Sequence, residues 1–266
     1  MLLREVGYAR PASLGEALEL LASNEGARAL AGGQTLINVM KARAGSPELL
    51  VDLNGLADLK GIELGADGTL DIGAMTTYTE LVESSEARAR QVLPQVCAQI
   101  ADVQVRNRGT IGGNVCTNDP TNHLPPLLVA LGAELTIVGA DGERTVPAAE
   151  FFLGVYMTAV AQTELLTRIR VPAGRNDGFA SVTLGVDGTC IASAAASVNG
   201  GVTVALGCVD AVPVALHPES TDPESVRAAV RGADFEPPSD VHASSDYRRH
   251  LAEVLAVRAV QQAEGS

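Results

Sequence analysis

The chain has 266 residues and a net charge of −13, and hydrophobic residues make up 46% of it while aromatic residues make up 3%. This length fits two compact domains, and this composition predicts a core of Ala, Val and Leu. The acidic balance argues against a nucleic-acid or anionic-membrane surface, because both depend on clustered Lys and Arg. No apolar run approaches the roughly 18 residues of a membrane span, and no signal-peptide pattern is present. We therefore expect a soluble, cytoplasmic protein.

The first part of the chain predicts a small β-α-β-α-β unit. A strand ends at Tyr8, and a helix follows whose first turn carries Ser13 and Glu16 at capping-box spacing. A short apolar strand at 27–30, a Gly-Gly loop, a second helix and a strand at 49–53 complete it. A small phosphate-binding unit is the expected result.

The Gly-Gly loop of this unit has the composition of an anion site. Residues 31–43 read AGGQTLINVMKAR, between the strand and the helix. Loop amides and the positive end of a helix dipole both point at a ligand in this arrangement. The loop therefore predicts that a phosphate group binds here.

The middle of the chain predicts an α+β section that lies over the first unit. Its elements are hairpins at 62–72 and 134–146, helices at 79–84 and 87–100, an apolar helix at 127–131 and a strand at 165–171. Pro94 predicts a kink or a break in the helix at 87–100.

A second glycine stretch lies inside this section. Residues 110–126 read TIGGNVCTNDPTNHLPP. Adjacent glycines can adopt positive φ and let backbone N–H groups converge on an anion, and Asn114 and Thr117 add side-chain donors and acceptors. An ordinary glycine turn is the alternative for this stretch alone. Two such loops in one chain are more specific, because together they suit a ligand with two linked phosphates.

The last part of the chain predicts a small domain beyond a turn-rich boundary at 172–177. Alternating segments at 179–184, 191–198 and 202–209 predict a three-stranded antiparallel sheet, and helices are expected from Asp222 and at 246–262.

The cysteines do not predict a metal centre. Cys97, Cys116, Cys190 and Cys208 form no C-x-x-C pair, and isolated thiols are more often small buried residues than ligands. Cys116 is the cysteine with a plausible place near a ligand.

Several motifs resemble one family. AGGQTL with a following MK.R, RNRGTIGGN with a following DP, the stretch at 147–172 and the ending YRRHLAEVLAVRA resemble the FAD-binding medium subunit of the xanthine dehydrogenase and carbon monoxide dehydrogenase family, the molybdenum hydroxylases. The resemblance implies an α+β protein with a two-part FAD-binding domain at 1–172, like that of vanillyl-alcohol oxidase, whose βαβαβ part is 1–56 and whose α+β part is 57–172. A small C-terminal flavoprotein domain would occupy 177–266.

The resemblance also implies the residues that bind FAD. The first motif maps onto Ala31, Gly32, Gly33, Gln34 and Thr35, the second onto Thr110, Ile111, Gly112, Gly113 and Asn114, with Thr117 and Asp119 just beyond and Leu166 where a backbone group reaches the flavin ring. No catalytic acid–base residue and no metal ligand is implied in this chain.

Two positions depart from the family pattern. His123 stands where the family commonly has an aspartate near the ribityl chain; a neutral histidine can also donate and accept there, and a surface histidine at a helix start is the alternative. The segment at 179–186 lacks the lysine that the family often carries near the flavin. A positive charge at this place would favour the anionic reduced flavin, so its absence is expected to affect the flavin's potential more than its binding.

The function implied is electron relay. In such enzymes a large subunit holds the molybdenum-pterin cofactor, a small subunit carries two [2Fe–2S] clusters, and the medium subunit passes electrons through FAD to an external acceptor, commonly in a dimer of heterotrimers. Two alternatives remain: a self-contained flavoenzyme resembling UDP-N-acetylenolpyruvoylglucosamine reductase, or a non-catalytic assembly subunit that has lost FAD.

Overall fold

The computed structural model describes residues 3–185 and 188–265. Residue 186, at the end of the segment where the family often carries a lysine, lies outside the described residues. The outer limits of the predicted domains, at residues 1 and 266, lie outside them as well.

The first unit is a three-stranded parallel sheet with two helices. Its elements are β1 (Gly7–Ala9), α1 (Leu14–Ser23), β2 (Ala27–Leu30), α2 (Leu36–Lys41) and β3 (Leu49–Asp52). The strand order is β1-β3-β2, and both pairings are parallel. The predicted β-α-β-α-β unit is therefore confirmed.

The start of α1 differs in one detail from a capping box. The Ser13 hydroxyl accepts a hydrogen bond from the Glu16 N–H at 3.2 Å, as expected. The Glu16 carboxylate, however, accepts from the N–H of Ala12 at 2.7 Å instead of that of Ser13. The cap therefore satisfies one backbone donor of the first helical turn, the N–H of Glu16, and one donor that precedes the helix, the N–H of Ala12.

The middle section is a five-stranded antiparallel sheet flanked by short helices. Its elements are β4 (Ile62–Leu64), β5 (Leu70–Gly73), α3 (Tyr78–Glu83), α4 (Val92–Cys97), α5 (Val103–Arg106), α6 (Ile111–Thr117), α7 (Leu124–Ala130), β6 (Glu134–Gly139), β7 (Gly142–Pro147), α8 (Ala148–Phe151), β8 (Phe152–Gly154), β9 (Met157–Thr158) and β10 (Leu165–Val171). The strand order in the sheet is β4-β5-β10-β6-β7, while β8 and β9 form a separate hairpin. Both predicted hairpins are present.

The predicted helix at 87–100 is broken, but not at its proline. A short 3-10 turn covers Ala87–Arg90, and α4 begins only at Val92. Pro94 is the third residue of α4, within the first turn, where the missing N–H of proline costs no intrahelical hydrogen bond. The break therefore precedes the proline, which the first turn of the new helix accommodates.

The C-terminal section has a four-stranded antiparallel sheet, one strand more than the three predicted. Its elements are β11 (Asp177–Thr183), β12 (Cys190–Val198), β13 (Val202–Gly207), β14 (Val214–Leu216), α9 (Pro223–Gly232) and α10 (Ser245–Glu264), with strand order β11-β12-β13-β14. The additional strand, β14, has three residues between Pro213 and His217. A segment of three residues is too short to show alternation of apolar and polar residues. Its pairing with β13 is what makes it a strand.

The C-terminal sheet is covered on both faces. Ala195 and Ala205 join the core of the middle section, where α7 packs on β12 and β13. Ala194 and Leu206 belong to a second core, in which α10 packs on β11 and β12. The small side chains of β12 allow helices to approach from both sides, and the sheet is thereby fixed against the middle section.

Within residues 3–185 and 188–265, no helix is both long enough and apolar enough to cross a membrane.

Candidate cofactor site

A cavity of about 570 Å³ lies between the first unit and the middle section. Both glycine stretches contribute to its wall. The residues with predicted roles that line it are Ala31, Gly32, Gly33, Gln34, Thr35, Thr110, Gly112, Gly113, Asn114, Thr117 and Leu166. This volume lies within the range of about 300–1,000 Å³ that is typical of cofactor and ligand sites.

The first glycine loop leaves its backbone donors available. Gly33 has φ +73°, a left-handed conformation that favours glycine, and turns the chain into α2. Within the described part of the chain, the N–H groups of residues 32–35 donate to no protein acceptor. Four adjacent amides on the wall of a cavity are strong donors that require a ligand or water as acceptor.

The first loop also packs closely against the segment before α6. A Cβ atom on Gly32 would lie 2.2 Å from the carbonyl oxygen of Arg108 and 2.8 Å from the Cα of Gly109. Both neighbours are backbone atoms, which cannot move aside as a side chain can. Glycine is therefore required at position 32 by close approach, not by a positive φ.

The second glycine stretch is not a loop with free amides; it is the start of α6. Thr110 caps this helix, and its hydroxyl accepts from the N–H of Gly113 at 3.0 Å. The N–H of Ile111 donates to Thr76 O at 2.9 Å and that of Gly112 to Ala74 O at 2.8 Å. Neither Gly112 nor Gly113 has a positive φ. These amides hold the helix against the wall, so the expected convergence of this stretch on an anion is not observed.

The second glycine stretch contributes side chains to the cavity wall. The Oδ1 atom of Asn114 is buried and has no hydrogen-bond partner among the described residues. The hydroxyl of Thr117 donates to Gly113 O at 2.7 Å, which leaves its oxygen able to accept. A buried carbonyl oxygen without a donor is costly, so Asn114 suits a ligand that presents a hydroxyl group.

Three of the residues with predicted roles are placed outside the cavity wall. Ile111 is buried in the core of the middle section. The Asp119 carboxylate accepts from the Thr121 N–H at 2.9 Å and from the Tyr156 hydroxyl at 3.0 Å. His123 is only 8% exposed, and its ring packs edge-to-face on Phe179 with the ring centroids 5.2 Å apart. His123 is thus not a surface histidine either, and it is the neighbouring Asn122 that lines the cavity.

Residues that the motifs did not reveal also form the wall. They include Arg28, Tyr78, Asn122, Tyr156 and Gln162. The guanidinium of Arg28 donates to the carbonyl of Ala27 at 2.8 Å, and Arg28 lines the same cavity as the first glycine loop. The position of Arg28 as a basic residue in the otherwise apolar strand 27–30 could have indicated a role at the site.

A hairpin clamp positions Tyr156 at the cavity rim. Tyr156 and Asn118 both have left-handed backbones, with φ +56° and +44°. The Asn118 amide donates to Gly154 O at 2.7 Å and to Met157 O at 3.1 Å, so it holds both strands of the β8–β9 hairpin. The local sequence does not predict these left-handed conformations, because contacts with the surrounding structure impose them.

Within the described part of the chain, the wall carries no acid–base pair suited to substrate chemistry. Burial raises the pKa of the Cys116 thiol to about 12 and also raises the pKa of the Tyr78 hydroxyl. Both groups are therefore neutral at physiological pH, and neither is an activated nucleophile or base. The Glu164 carboxylate is paired with Arg144 at 2.7 Å. Among the described residues, no group of His, Cys, Asp and Glu could hold a metal ion. The cavity fits a bound organic cofactor that brings its own chemistry.

FAD fits this arrangement. Its diphosphate matches the four unengaged amides of residues 32–35, and its hydroxyl groups match the unpaired Asn114 oxygen. The fold and the cavity thus define a protein that binds a dinucleotide cofactor such as FAD between its first unit and its middle section.

Comparison with known proteins gives the family. Residues 4–174 match the family model for the FAD binding domain in molybdopterin dehydrogenase, and residues 179–263 match that for the CO dehydrogenase flavoprotein C-terminal domain. The carbon monoxide dehydrogenase medium chain of Afipia carboxidovorans is 37% identical over 97% of this chain and 96% of its own length. The nicotine 6-hydroxylase medium subunit of Paenarthrobacter nicotinovorans is 32% identical over 99% of both chains.

Solved structures agree. A structure of Cu,Mo-CO dehydrogenase superimposes with a TM-score of 0.92 at 35% identity, covering 100% of this chain and 99% of the other. A structure of quinoline 2-oxidoreductase from Pseudomonas putida 86 superimposes with a TM-score of 0.91 at 30% identity, with the same coverage. The chain belongs to the family of FAD-binding medium subunits of molybdenum hydroxylases.

Proposed function

We propose that this subunit relays electrons from two [2Fe–2S] clusters in a small partner subunit, through FAD, to an external acceptor. When bound, FAD accepts and releases electrons in ones or twos, and the protein holds it and tunes its surroundings. The single observation that carries the proposal is a cavity that combines four unengaged backbone amides with a wall whose described residues include no acid–base pair. Such a site binds a cofactor and does not activate an organic substrate.

The residues of the chain have separate roles in this proposal. The amides of residues 32–35 bind the diphosphate, and Asn114 and Thr117 bind hydroxyl groups of the cofactor. Leu166 forms part of the wall beside the ring system, and Tyr156 covers the rim. Asp119 acts indirectly, because it accepts a hydrogen bond from the Tyr156 hydroxyl.

Substrate choice belongs to another chain. Relatives between 29% and 37% identical to this chain are medium or FAD-binding subunits named for carbon monoxide, nicotine and xanthine. One medium-subunit fold thus accompanies different substrates, and the large molybdenum-pterin subunit is the expected place of selection. This chain would be one of three in a unit that dimerises.

We place the complex in the cytoplasm. The four cysteines are free thiols, as expected of a chain kept in a reducing compartment. The chain divides at 172–177 into an FAD-binding domain at 1–172 and a C-terminal domain at 177–266, which agrees with the turn-rich segment between β10 and β11.

The relay is tested by comparing the isolated chain with the complex. The isolated, FAD-loaded chain should be bleached by dithionite but should not oxidise aldehydes, N-heterocycles or carbon monoxide. Addition of the molybdenum and iron–sulfur subunits should allow substrate to bleach the flavin. Turnover of any such substrate by this chain alone would contradict the relay and favour a self-contained flavoenzyme. A chain that bound no FAD would instead be an assembly subunit.

A further inference from the structure

A series of hydrogen bonds crosses the sheet of the first unit and ends at the first glycine loop. The Tyr8 hydroxyl, on β1, donates to Asp52 Oδ2 at the end of β3. Asp52 Oδ1 accepts from the side-chain amide nitrogen of Asn54 at 2.6 Å. The same nitrogen donates to Ala31 O at 3.0 Å, where the loop begins after β2. Side chains outside both glycine motifs thus hold the first residue of this loop.

The register of the sheet brings these groups together. Leu30, the last residue of β2, is paired with Asp52, the last residue of β3, in a parallel ladder. Both strands therefore end at the same edge, and the carboxyl ends of parallel strands are where open sheets bind ligands. The N–H of Asn54 also donates to Asp52 Oδ1, at 3.0 Å. The turn after β3 thereby places the Asn54 side chain against the residue that follows β2.

Only an NH2 group fits between the two partners of Asn54. A carboxylate and a peptide carbonyl both accept hydrogen bonds, so the group that faces them must be the donor end of the amide. Burial raises the pKa of the Asp52 carboxyl group, but the hydrogen bonds from Tyr8 and Asn54 outweigh burial and bring the pKa below its ordinary value. Asp52 is therefore ionised at neutral pH, and it holds the Asn54 amide in one orientation.

The orientation of Asn54 in turn sets that of the Ala31–Gly32 peptide. This peptide is trans, and in a trans peptide the C=O and N–H groups point in opposite directions. Because Ala31 O faces Asn54, the Gly32 N–H faces away from it. Ala31 and Leu53 line the cavity and Asn54 does not, so the direction away from Asn54 is toward the cavity. The Gly32 N–H is one of the four amides that donate to no protein acceptor in the described chain.

We propose that Asn54, held by Asp52, is a positioning residue that directs the Gly32 N–H toward the diphosphate of the cofactor. The inference rests on the proposed binding of FAD and adds a residue beyond the glycine motifs to that site. Asn54 acts through the peptide that it orients and not by contact with the cofactor. A donor that is already aimed before the cofactor arrives lowers the cost of ordering the loop on binding.

Asn54→Leu tests this role, because leucine has nearly the same shape, carries no charge and lacks the donor. Ala31 O then loses its partner, and the Ala31–Gly32 peptide is free to turn. The Kd for FAD should rise at least about tenfold, since a hydrogen bond from the Gly32 N–H to a charged phosphate is lost. Flavin fluorescence quenching measures the Kd.

Asn199→Leu is the matched control. The side-chain amide of Asn199 also donates to a buried carboxylate, Asp177 Oδ1 at 3.1 Å, but it does so beside the C-terminal sheet. This variant should leave the Kd for FAD unchanged even where both variants lose stability. Equal weakening in the two variants would attribute the effect to lost stability and overturn the proposal. A Kd in Asn54→Leu equal to that of the parent would overturn it as well.

The direction of the amide is measured on the unmodified chain, labelled with 15N-glycine. In the absence of FAD, the Gly32 N–H should exchange rapidly with solvent deuterium, and FAD should protect it. If FAD bound and left this amide unprotected, the proposal would be overturned while the proposed function stood. This measurement needs no variant, so it decides the matter even if Asn54→Leu folds poorly.

A crystal structure of Asn54→Asp without FAD separates the inference from the proposed function. This substitution places an acceptor against two acceptors, so the Ala31 carbonyl should turn away from residue 54. An unchanged peptide would overturn the inference, whether or not the parent chain binds FAD. A parent chain that bound no FAD would refute the proposed function, and the turned peptide would still identify Asn54 as the residue that sets the direction of the Gly32 N–H.

Discussion

At the scale of single residues, the cavity depends on which polar groups lack a protein partner. Within the described chain, the amides of residues 32–35 and the Asn114 oxygen have no protein partner. The amides of Ile111 and Gly112, in contrast, donate to backbone carbonyl groups. Two stretches with the same Gly-Gly motif therefore differ in function: the first provides the donors, and the second provides a helix held in place. Among the described residues that line the cavity, Arg28 is the one with a positive charge.

The side chain of Arg28 should contribute to FAD affinity. In a protein of net charge −13, a guanidinium on the wall offsets part of the repulsion that an anionic cofactor meets. Arg28→Gln should raise the Kd for FAD about tenfold, which corresponds to about 1.4 kcal/mol, and Arg28→Lys should raise it less. Flavin fluorescence quenching measures both values.

Arg258→Gln is the matched control for this substitution, because it removes the same charge from an exposed position of α10. It should leave the Kd for FAD unchanged. The difference between the two variants should shrink as salt is added, since salt screens charges near the surface. Equal affinities for the two glutamine variants would remove Arg28 from the binding site.

At the scale of elements, the first glycine loop and the segment before α6 meet backbone to backbone. The glycine at position 32 permits this contact, and the contact sets the loop amides on the cavity wall. The two hydrogen bonds of Asn118 to the β8–β9 hairpin likewise fix a connecting segment, which carries Tyr156 on the cavity wall. The site is thus formed by contacts between connecting segments, while the sheets behind them provide rigidity.

Gly32→Ala should abolish FAD retention. The added Cβ would lie 2.2 Å from the Arg108 carbonyl oxygen, so the loop must move and its amides lose their common direction. Each lost charge-assisted hydrogen bond costs about 1.5–3 kcal/mol, so losing two raises the Kd by more than about a hundredfold. The ratio of flavin to protein absorbance after gel filtration measures retention.

Gly232→Ala is the control, because a Cβ on that residue meets no atom within 4 Å. It should retain full flavin occupancy. Full occupancy in Gly32→Ala as well would show that the diphosphate does not bind at this loop.

At the scale of the whole molecule, a buried ion pair joins the middle section to the C-terminal sheet. Arg90 donates through Nε to Asp177 Oδ2 at 2.7 Å and through Nη2 to Oδ1 at 2.8 Å, and it is 1% exposed. Its third nitrogen donates to Pro172 O at 2.5 Å. The pair therefore spans the connection between β10 and β11 and fixes how the two sections meet.

Arg90→Met should lower the free energy of unfolding by about 3–5 kcal/mol, because it leaves the Asp177 carboxylate buried without its cation. The double variant Arg90→Met with Asp177→Leu should recover part of the loss. The exposed Arg231, which pairs with Glu224 and Glu253, is the comparison, and Arg231→Met should cost much less than Arg90→Met because water screens these pairs. Urea unfolding measures all three variants, and a cost for Arg90→Met no larger than that for Arg231→Met would refute the role of the pair.

Most of the longer strands and helices, and the family, could be predicted from the sequence alone, because both depend on local patterns. The elements α5, α6, α8, β8 and β9 were not predicted. Alternation at 134–146, the apolar strand at 27–30 and the Gly-Gly motifs each lie within a few adjacent residues, and hydrophobic periodicity is enough to assign them. The strand β14 could not be predicted, because its three residues are too few to show hydrophobic periodicity.

Which groups meet was settled by packing between segments far apart in the chain. The amides of α6 are engaged because Ala74 and Thr76 present carbonyl groups to them. His123 lies against Phe179 instead of the cavity, and Arg90 and Asp177, 87 positions apart in sequence, meet in a buried ion pair. Hydrogen-bond partners and burial are properties of packing, and packing between distant segments leaves no mark in the local pattern of either one.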